Sequence, residues 1–175
     1  ERKWEVDSLC YTIRLAYGYW EATGDASVFT PEWREAMALV LRTFREQQRK
    51  EDRGPYKFQR VTGWQTDTVA GAGYGYRIRP VGMICSIFRP SDDATIYPFL
   101  VPSNHFAVRS LRQIAVLAEG PGQAPVLLRP ARALADEVET ALARYAVADR
   151  PGYGSVFPYE VDGFGKQLFM DDANV

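Results

Sequence analysis

The sequence has few of the residues that build metal sites and disulfide frameworks. It contains one histidine and two cysteines in 175 residues. Their positions show none of the spacings typical of zinc ligands, and two cysteines are too few for a disulfide framework. One pairing of Cys10 with Cys85 stays open, although both lie in apolar stretches typical of buried thiols. We therefore expect neither a metal nor a cofactor.

The sequence also lacks an excess of charge of either sign and any long hydrophobic run. Its formal net charge of −1 argues against a nucleic-acid partner, which would require a strongly basic surface. No apolar run approaches the roughly 20 residues that span a bilayer, and no signal peptide is visible. With 46% hydrophobic residues, the composition predicts one globular domain over residues 1–175. It indicates no particular compartment.

The first half of the chain predicts two helices. Apolar residues recur at helical spacing over residues 7–23, with Asp7 or Ser8 as the cap and Gly24 as the stop. A second helix should begin at Thr30-Pro31, where threonine caps and proline takes the first position, and should run to about Lys50. A short turn joins the two, which predicts an antiparallel hairpin.

Two further helices follow a long irregular segment over residues 54–91. Ser103 should cap the third, which Gly120 ends, and the fourth should start near Pro130. The residues from 152 to 175 are again irregular, with one short hairpin near Asp162-Gly163. This predicts a mainly α fold of helical hairpins with long functional loops at one end, as in an α/α toroid. A small four-helix bundle is the alternative.

The stretch from Phe88 to Phe106, FRPSDDATIYPFLVPSNHF, contains the densest set of reactive groups. Asp92 and Asp93 lie beside Arg89 and between apolar segments. Carboxylates are costly to desolvate, so a fold that holds a pair of them beside an arginine usually needs them for chemistry. The alternative is a surface turn in which Ser91 caps a short helix with the aspartates at its positive end.

Five motifs, in this order along the chain, give the sequence a family resemblance: KWEVDSLCY (3–11), GMICSIFRPSDDA (82–94), VPSNHFAV (101–108), YEVDGFG (159–165) and MDDANV (170–175). Together they resemble glycoside hydrolase family 125, the metal-independent exo-α-1,6-mannosidases. The resemblance implies an (α/α)6 barrel whose loops bind a terminal, non-reducing mannose. It also implies hydrolysis with inversion by one carboxylic acid and one carboxylate, without a metal.

The resemblance places the general acid in FRPSDD, at Asp92 or Asp93. The partner of the acid in that motif should bind a sugar hydroxyl or pair with Arg89. We expect the remaining polar contacts to a mannose-containing glycan from side chains in the two later motifs, and stacking surfaces from three aromatic residues. These predicted substrate-binding residues are Arg89, Glu160, Asp162, Asp171, Asp172, Asn174, Trp4, Trp64 and Tyr159.

The chain also departs from the family. Members run to well over twice this length, and two of their motifs have no match: an early arginine-aspartate pair, expected before Glu1, and a glutamate base, expected beyond Val175. The sequence therefore resembles the central portion of such an enzyme, a partial barrel that we expect to be inactive alone. A non-catalytic carbohydrate-binding remnant and a helical scaffold for protein partners are the alternatives.

Overall fold

Four long helices and five short strands make up the fold. The computed structural model describes residues 3–169. Two 3-10 turns, Gln65–Asp67 and Gly71–Gly73, interrupt the long segment after the second helix. The elements are α1 (Val6–Thr23), α2 (Pro31–Gln47), β1 (Phe99–Leu100), α3 (Val101–Glu119), α4 (Pro125–Tyr145), β2 (Ala148–Arg150), β3 (Gly154–Val156), β4 (Glu160–Val161) and β5 (Gln167–Leu168).

Local signals in the sequence account for the C-terminal end of α1 and the N-terminal end of α2. Gly24 ends α1 in a left-handed conformation, with φ of 71°, and Thr30 accepts a hydrogen bond from the Trp33 N–H at the start of α2. Both features were predicted. The N-cap of α1, however, is Glu5, and not Asp7 or Ser8. Asp7 lies inside the first turn and is buried, so its carboxylate is not available as a cap.

The helices α3 and α4 begin earlier than predicted. Leu100 is the N-cap of α3, and Ser103 lies inside the helix. Pro102 fits in the first turn because backbone N–H groups there have no acceptor within the helix, so the N–H that proline lacks is not missed. Likewise α4 starts at Pro125 and continues through Pro130. The Pro130 carbonyl accepts a hydrogen bond from Arg45 of α2, which ties α2 to the start of α4.

The central helix of the fold is α3. It packs most extensively against α4 and also against α1, whereas α2 makes its main helix contact with α4. The predicted hairpin of α1 with α2 is therefore not the main packing of either helix. Buried apolar side chains from all four helices share one core with the segment 83–88, and examples are Ile13, Phe44, Ile84, Phe88, Leu111, Ile114, Leu134 and Val138.

A three-stranded antiparallel sheet joins the C-terminal segment to the start of α3. Its order is β1-β4-β5, with Leu100 opposite Glu160. The predicted hairpin near Asp162-Gly163 is confirmed, since β4 and β5 pair across that turn. This register brings β4 beside the segment that precedes α3.

The outer face of α1 carries an exposed apolar stripe. Tyr11, Leu15 and Tyr19, which follow one another at intervals of one helical turn, are 53%, 74% and 40% exposed. Between residues 3 and 169, no helix combines the length and apolar character needed to cross a membrane.

Candidate active site

The two adjacent aspartates lie in a tight turn over residues 89–93, which we call the aspartate loop. The N–H of Arg89 donates to the Asp93 carbonyl over 2.8 Å, and the N–H of Asp92 donates to the Arg89 carbonyl over 2.9 Å. Phe88 and Ala94 bridge across its ends. The interpretation of Ser91 as a helix cap is therefore wrong, because the backbone bonds close the turn and no helix follows. The Ser91 hydroxyl instead contacts the Asp93 carboxylate at 3.4 Å.

Asp92 and Asp93 have different environments in this loop. Asp92 has a φ of 71°, a left-handed conformation that costs free energy in a residue with a Cβ and that clusters at functional sites. Its side chain is 68% exposed and therefore accessible from solvent. Asp93 is half-buried. The two carboxylates thus have different access to a ligand.

A lysine from the start of the chain contacts the aspartate loop. Lys3 Nζ lies 2.9 Å from Asp92 Oδ1 and 3.6 Å from Asp67 Oδ1, and it lies 4.7 Å from the ring centroid of Phe88. Asp67 is also paired with Arg60. Lys3 was not among the predicted site residues, and the one signal that could have found it was its place at the head of the first motif.

A carboxylate beside Lys3 was missed as well. Glu5 is half-buried, and this burial raises the pKa of its carboxyl group, with smaller contributions from the negative charges of Asp7 and Asp92. Its Oε2 accepts a hydrogen bond from Ser8 over 2.9 Å. The charges of Asp92 and Lys3 act on this carboxyl group only weakly.

Arg89 and Glu160 form a buried ion pair behind this loop. Arg89 Nε lies 2.7 Å from Glu160 Oε1, and the side chains are 5% and 0% exposed. The other oxygen, Oε2, accepts the backbone N–H groups of Ile96 and Tyr97 over 2.9 and 2.8 Å. The sequence predicts a sugar contact for both residues, with an aspartate of the same motif as an alternative partner of Arg89. The structure pairs them with each other, and Glu160 is too deeply buried to reach a ligand.

Asp162 stabilises the turn between β4 and β5. Its Oδ1 accepts the N–H groups of Phe164 and Lys166 over 2.8 and 3.0 Å, and the residue is 4% exposed. A Cβ on Gly163 would lie 2.4 Å from the Arg79 carbonyl oxygen, so the turn packs directly on a neighbouring backbone. Its Oδ1 is thus used within its own turn, and the predicted sugar contact stays a prediction.

The three aromatic candidates differ in exposure. Trp4 is only 4% exposed, stacks on Tyr56 at 4.9 Å and donates its indole N–H to the Cys85 carbonyl over 2.6 Å, so its ring already has protein partners. Tyr159 is 8% exposed and its ring faces the Arg89 guanidinium. Trp64 is 76% exposed. Of the three, Trp64 alone offers a free ring face.

The loop that carries Trp64 is attached to the aspartate loop. The Thr66 carbonyl accepts the Ala94 N–H over 2.7 Å, and the ring of Phe58 packs edge-on against Phe88 at 5.2 Å. Together with the contact from Lys3 to Asp67, these interactions fix the Trp64 segment beside Asp92. An exposed indole and an exposed carboxylate on neighbouring loops are suited to bind a sugar, one by stacking and one by hydrogen bonding.

Other polar candidates contribute less to the site. Burial lowers the pKa of His105, and its ring packs edge-on against Phe157 at 4.8 Å. Asp171, Asp172 and Asn174 lie outside the described residues. Among residues 3–169, no three His, Cys, Asp or Glu side chains are grouped so as to hold a metal ion.

Both cysteines are free and buried. Burial raises the pKa of each thiol to about 12, so neither forms the thiolate that nucleophilic catalysis requires.

Comparison with known proteins finds similarity to one family along the whole chain. A family model described as metal-independent alpha-mannosidase (GH125) matches residues 1–175. The Meiotically up-regulated gene 157 protein of Schizosaccharomyces pombe is 35% identical over 184 residues, which cover 100% of this chain and 36% of that protein.

A solved structure is also similar. It is a metal-independent alpha mannosidase of Streptococcus pneumoniae in a non-productive substrate complex with alpha-1,6-mannobiose. It superposes with a TM-score of 0.92 at 36% identity, over 100% of this chain and 41% of that one. The present chain thus spans well under half the length of both relatives.

Proposed function

The chain belongs to the metal-independent alpha-mannosidase family GH125, and we propose that it forms the acid-bearing part of an α-mannosidase. The proposed substrate is a glycan with a terminal α-1,6-linked mannose at its non-reducing end. The observation that carries the proposal is the aspartate loop, a turn closed by backbone hydrogen bonds that has one exposed carboxylate. The backbone around it matches part of a mannobiose-bound α-mannosidase, over the full length of the present chain.

The proposed reaction is hydrolysis with inversion at the anomeric carbon. One carboxylic acid protonates the leaving oxygen while a carboxylate on the other side of the ring activates water, and the two groups lie about 6.5–9.5 Å apart. We assign the acid to Asp92 or Asp93. Exposure favours Asp92, which can reach a substrate directly, whereas Asp93 is half-buried in the same loop.

The base in this proposal comes from outside residues 3–169. Within the described residues, Glu160 is an unsuitable base, because both of its oxygens accept protein hydrogen bonds and it is 0% exposed. A base must be within hydrogen-bond reach of the attacking water. Glu160 does not meet that requirement.

We further propose that the helices are part of an (α/α)6 barrel with the aspartate loop and the Trp64 segment at one end. Two features support this. Each helix packs on a helix of the other pair, with α1 against α3 and α2 against α4. The stripe of Tyr11, Leu15 and Tyr19 leaves one side of α1 free for further neighbours.

The experiment that tests the function uses the full-length protein and α-1,6-mannobiose. We expect hydrolysis that survives excess chelator, with β-mannose as the first product seen by NMR. Initial formation of α-mannose would contradict inversion, and a loss of activity that added metal restores would contradict the metal-independent mechanism. A protein that binds the disaccharide without hydrolysing it would be a carbohydrate-binding module instead.

A further inference from the structure

Glu160 holds both ends of the segment that carries the two aspartates. Its Oε1 accepts from Arg89, the first residue of the aspartate loop, and its Oε2 accepts the backbone N–H groups of Ile96 and Tyr97, just beyond the loop. Asp92 and Asp93 lie between these two anchor points. Glu160 lies 71 residues after Arg89 and 63 residues after Tyr97 in the sequence. Its one carboxylate thus holds the two ends of the segment 89–97 together.

The environment of Glu160 makes this connection rigid. Glu160 and Arg89 are 0% and 5% exposed, so water does not compete for their hydrogen bonds. Charge-assisted hydrogen bonds of this kind are shorter and roughly twice as strong as neutral ones. Glu160 itself is fixed by β4, which pairs with β1 on one side and β5 on the other. The loop is therefore attached to the sheet and, through β1, to the start of α3.

We infer that Glu160 is a positioning residue for the general acid: it touches no substrate but fixes the loop from which Asp92 or Asp93 donates its proton. This inference rests on the proposed mannosidase function. Misplacing a catalytic group by about 1 Å can cost on the order of 10²-fold in rate. The loss should depend on how much protonation the leaving group needs, which a purely structural role would not produce.

The test variant is Glu160→Gln in the full-length protein. Its amide oxygen can still accept the N–H groups of Ile96 and Tyr97, but its NH₂ group then faces the Arg89 guanidinium, donor against donor. The change therefore loosens the loop at its Arg89 end without altering the shape of the side chain. Val138→Ala in α4 is the matched control, since Val138 is fully buried in the core and lies outside both the segment 89–97 and the sheet that carries Glu160.

Two measurements separate this inference from the proposed function. Hydrogen–deuterium exchange should be faster over residues 89–97 in Glu160→Gln than in wild type, and unchanged there in Val138→Ala. This readout does not require mannosidase activity. In kinetics, kcat on α-1,6-mannobiose should fall about 10²-fold with little change in KM, and kcat on an aryl mannoside with an activated leaving group should fall less than about tenfold.

Either of two results would overturn the inference. Unchanged exchange over 89–97 would mean that Glu160 does not hold the loop. Equal losses on both substrates would mean that the loop it holds does not deliver the proton. If Glu160→Gln does not fold, Arg89→Lys takes its place with the same two readouts, because lysine keeps the charge but shortens the reach. An inactive wild-type protein would contradict the proposed function, while the exchange experiment would still test the connection.

Discussion

Lys3 and Asp92 are in contact although 89 residues separate them along the chain. The ammonium group lies 2.9 Å from the Asp92 carboxylate and 3.4 Å from the carbonyl oxygen of the same residue. Lys3 is only 17% exposed, whereas Asp92 is 68% exposed. A partly buried cation thus holds an exposed, left-handed aspartate in place, and the following prediction rests on this contact.

Replacing Lys3 with alanine should reduce activity more than stability. An ion pair with one exposed partner contributes about 1 kcal/mol or less to the free energy of unfolding, so thermal unfolding should change little. The rate on α-1,6-mannobiose should fall by about tenfold or more, because Asp92 loses the partner that orients it. The matched control is Lys50→Ala, which removes the ion pair between Lys50, three residues beyond the end of α2, and Glu137 of α4. A similar loss of activity in the control would contradict the prediction.

The acid can be identified with two amide variants. Asp92→Asn or Asp93→Asn in the full-length protein should lower the rate on a substrate with a poor leaving group by about 10²–10⁴-fold. The variant that lacks the acid should lose much less on an activated aryl mannoside, which needs little protonation. If both variants lose equally on both substrates, neither residue donates the proton and the loop serves only to bind.

Trp64 should contribute to substrate binding and not to folding. Because the ring is 76% exposed, Trp64→Ala should leave the melting temperature nearly unchanged and raise KM for α-1,6-mannobiose about tenfold, or about 1.4 kcal/mol of binding free energy. Tyr153, which is 83% exposed between β2 and β3, gives the control variant Tyr153→Ala. An unchanged KM in Trp64→Ala would remove this residue from the site.

Trp4 should behave in the opposite way. Trp4→Phe keeps an aromatic ring against Tyr56 but removes the indole N–H that the Cys85 carbonyl accepts. Leaving that buried carbonyl without its donor should cost about 1–3 kcal/mol in the free energy of unfolding, measured by denaturant titration. KM should not change. A raised KM with full stability would restore the sugar-stacking role.

The 175-residue chain by itself should not turn over α-1,6-mannobiose above background. The proposed base lies outside residues 3–169, and a general base supplies about 10²–10⁴ of the rate. The exposed stripe of Tyr11, Leu15 and Tyr19 should also favour self-association, which sedimentation would detect. Weak mannose binding in an NMR titration is compatible with this prediction, whereas measurable turnover is not.

Short-range signals in the sequence predicted much of the helical framework. Thr30-Pro31 fixed the start of α2 and Gly24 the end of α1, because capping depends on neighbours only a few residues apart. The start of α4 was misplaced because Pro130 was taken as its first position, and the start of α3 because Ser103 was taken as its cap, although both residues lie inside the helices. Prolines restrict where a helix can start, but tertiary contacts decide at which of the allowed residues it begins.

The side chains of the site were less predictable than its location. The aspartate loop was identified from its residues, but the pairing of Arg89 with Glu160 depends on the register of β4 against β1, which local patterns do not encode. The same holds for Trp4, whose burial is decided by Tyr56 and Cys85. A sequence shows which polar and aromatic residues are present, but only packing shows which of them face a ligand.

The burial of Cys10 and Cys85 makes the chain convenient for fluorescence work. A thiol with a pKa of about 12 and no solvent access reacts slowly with maleimides, which attack through the thiolate. A cysteine introduced by Val61→Cys, at a fully exposed position three residues before Trp64, would therefore be the preferred labelling site within these 175 residues. An environment-sensitive dye placed there would report on glycan binding next to the indole while leaving Trp64 and the aspartates intact.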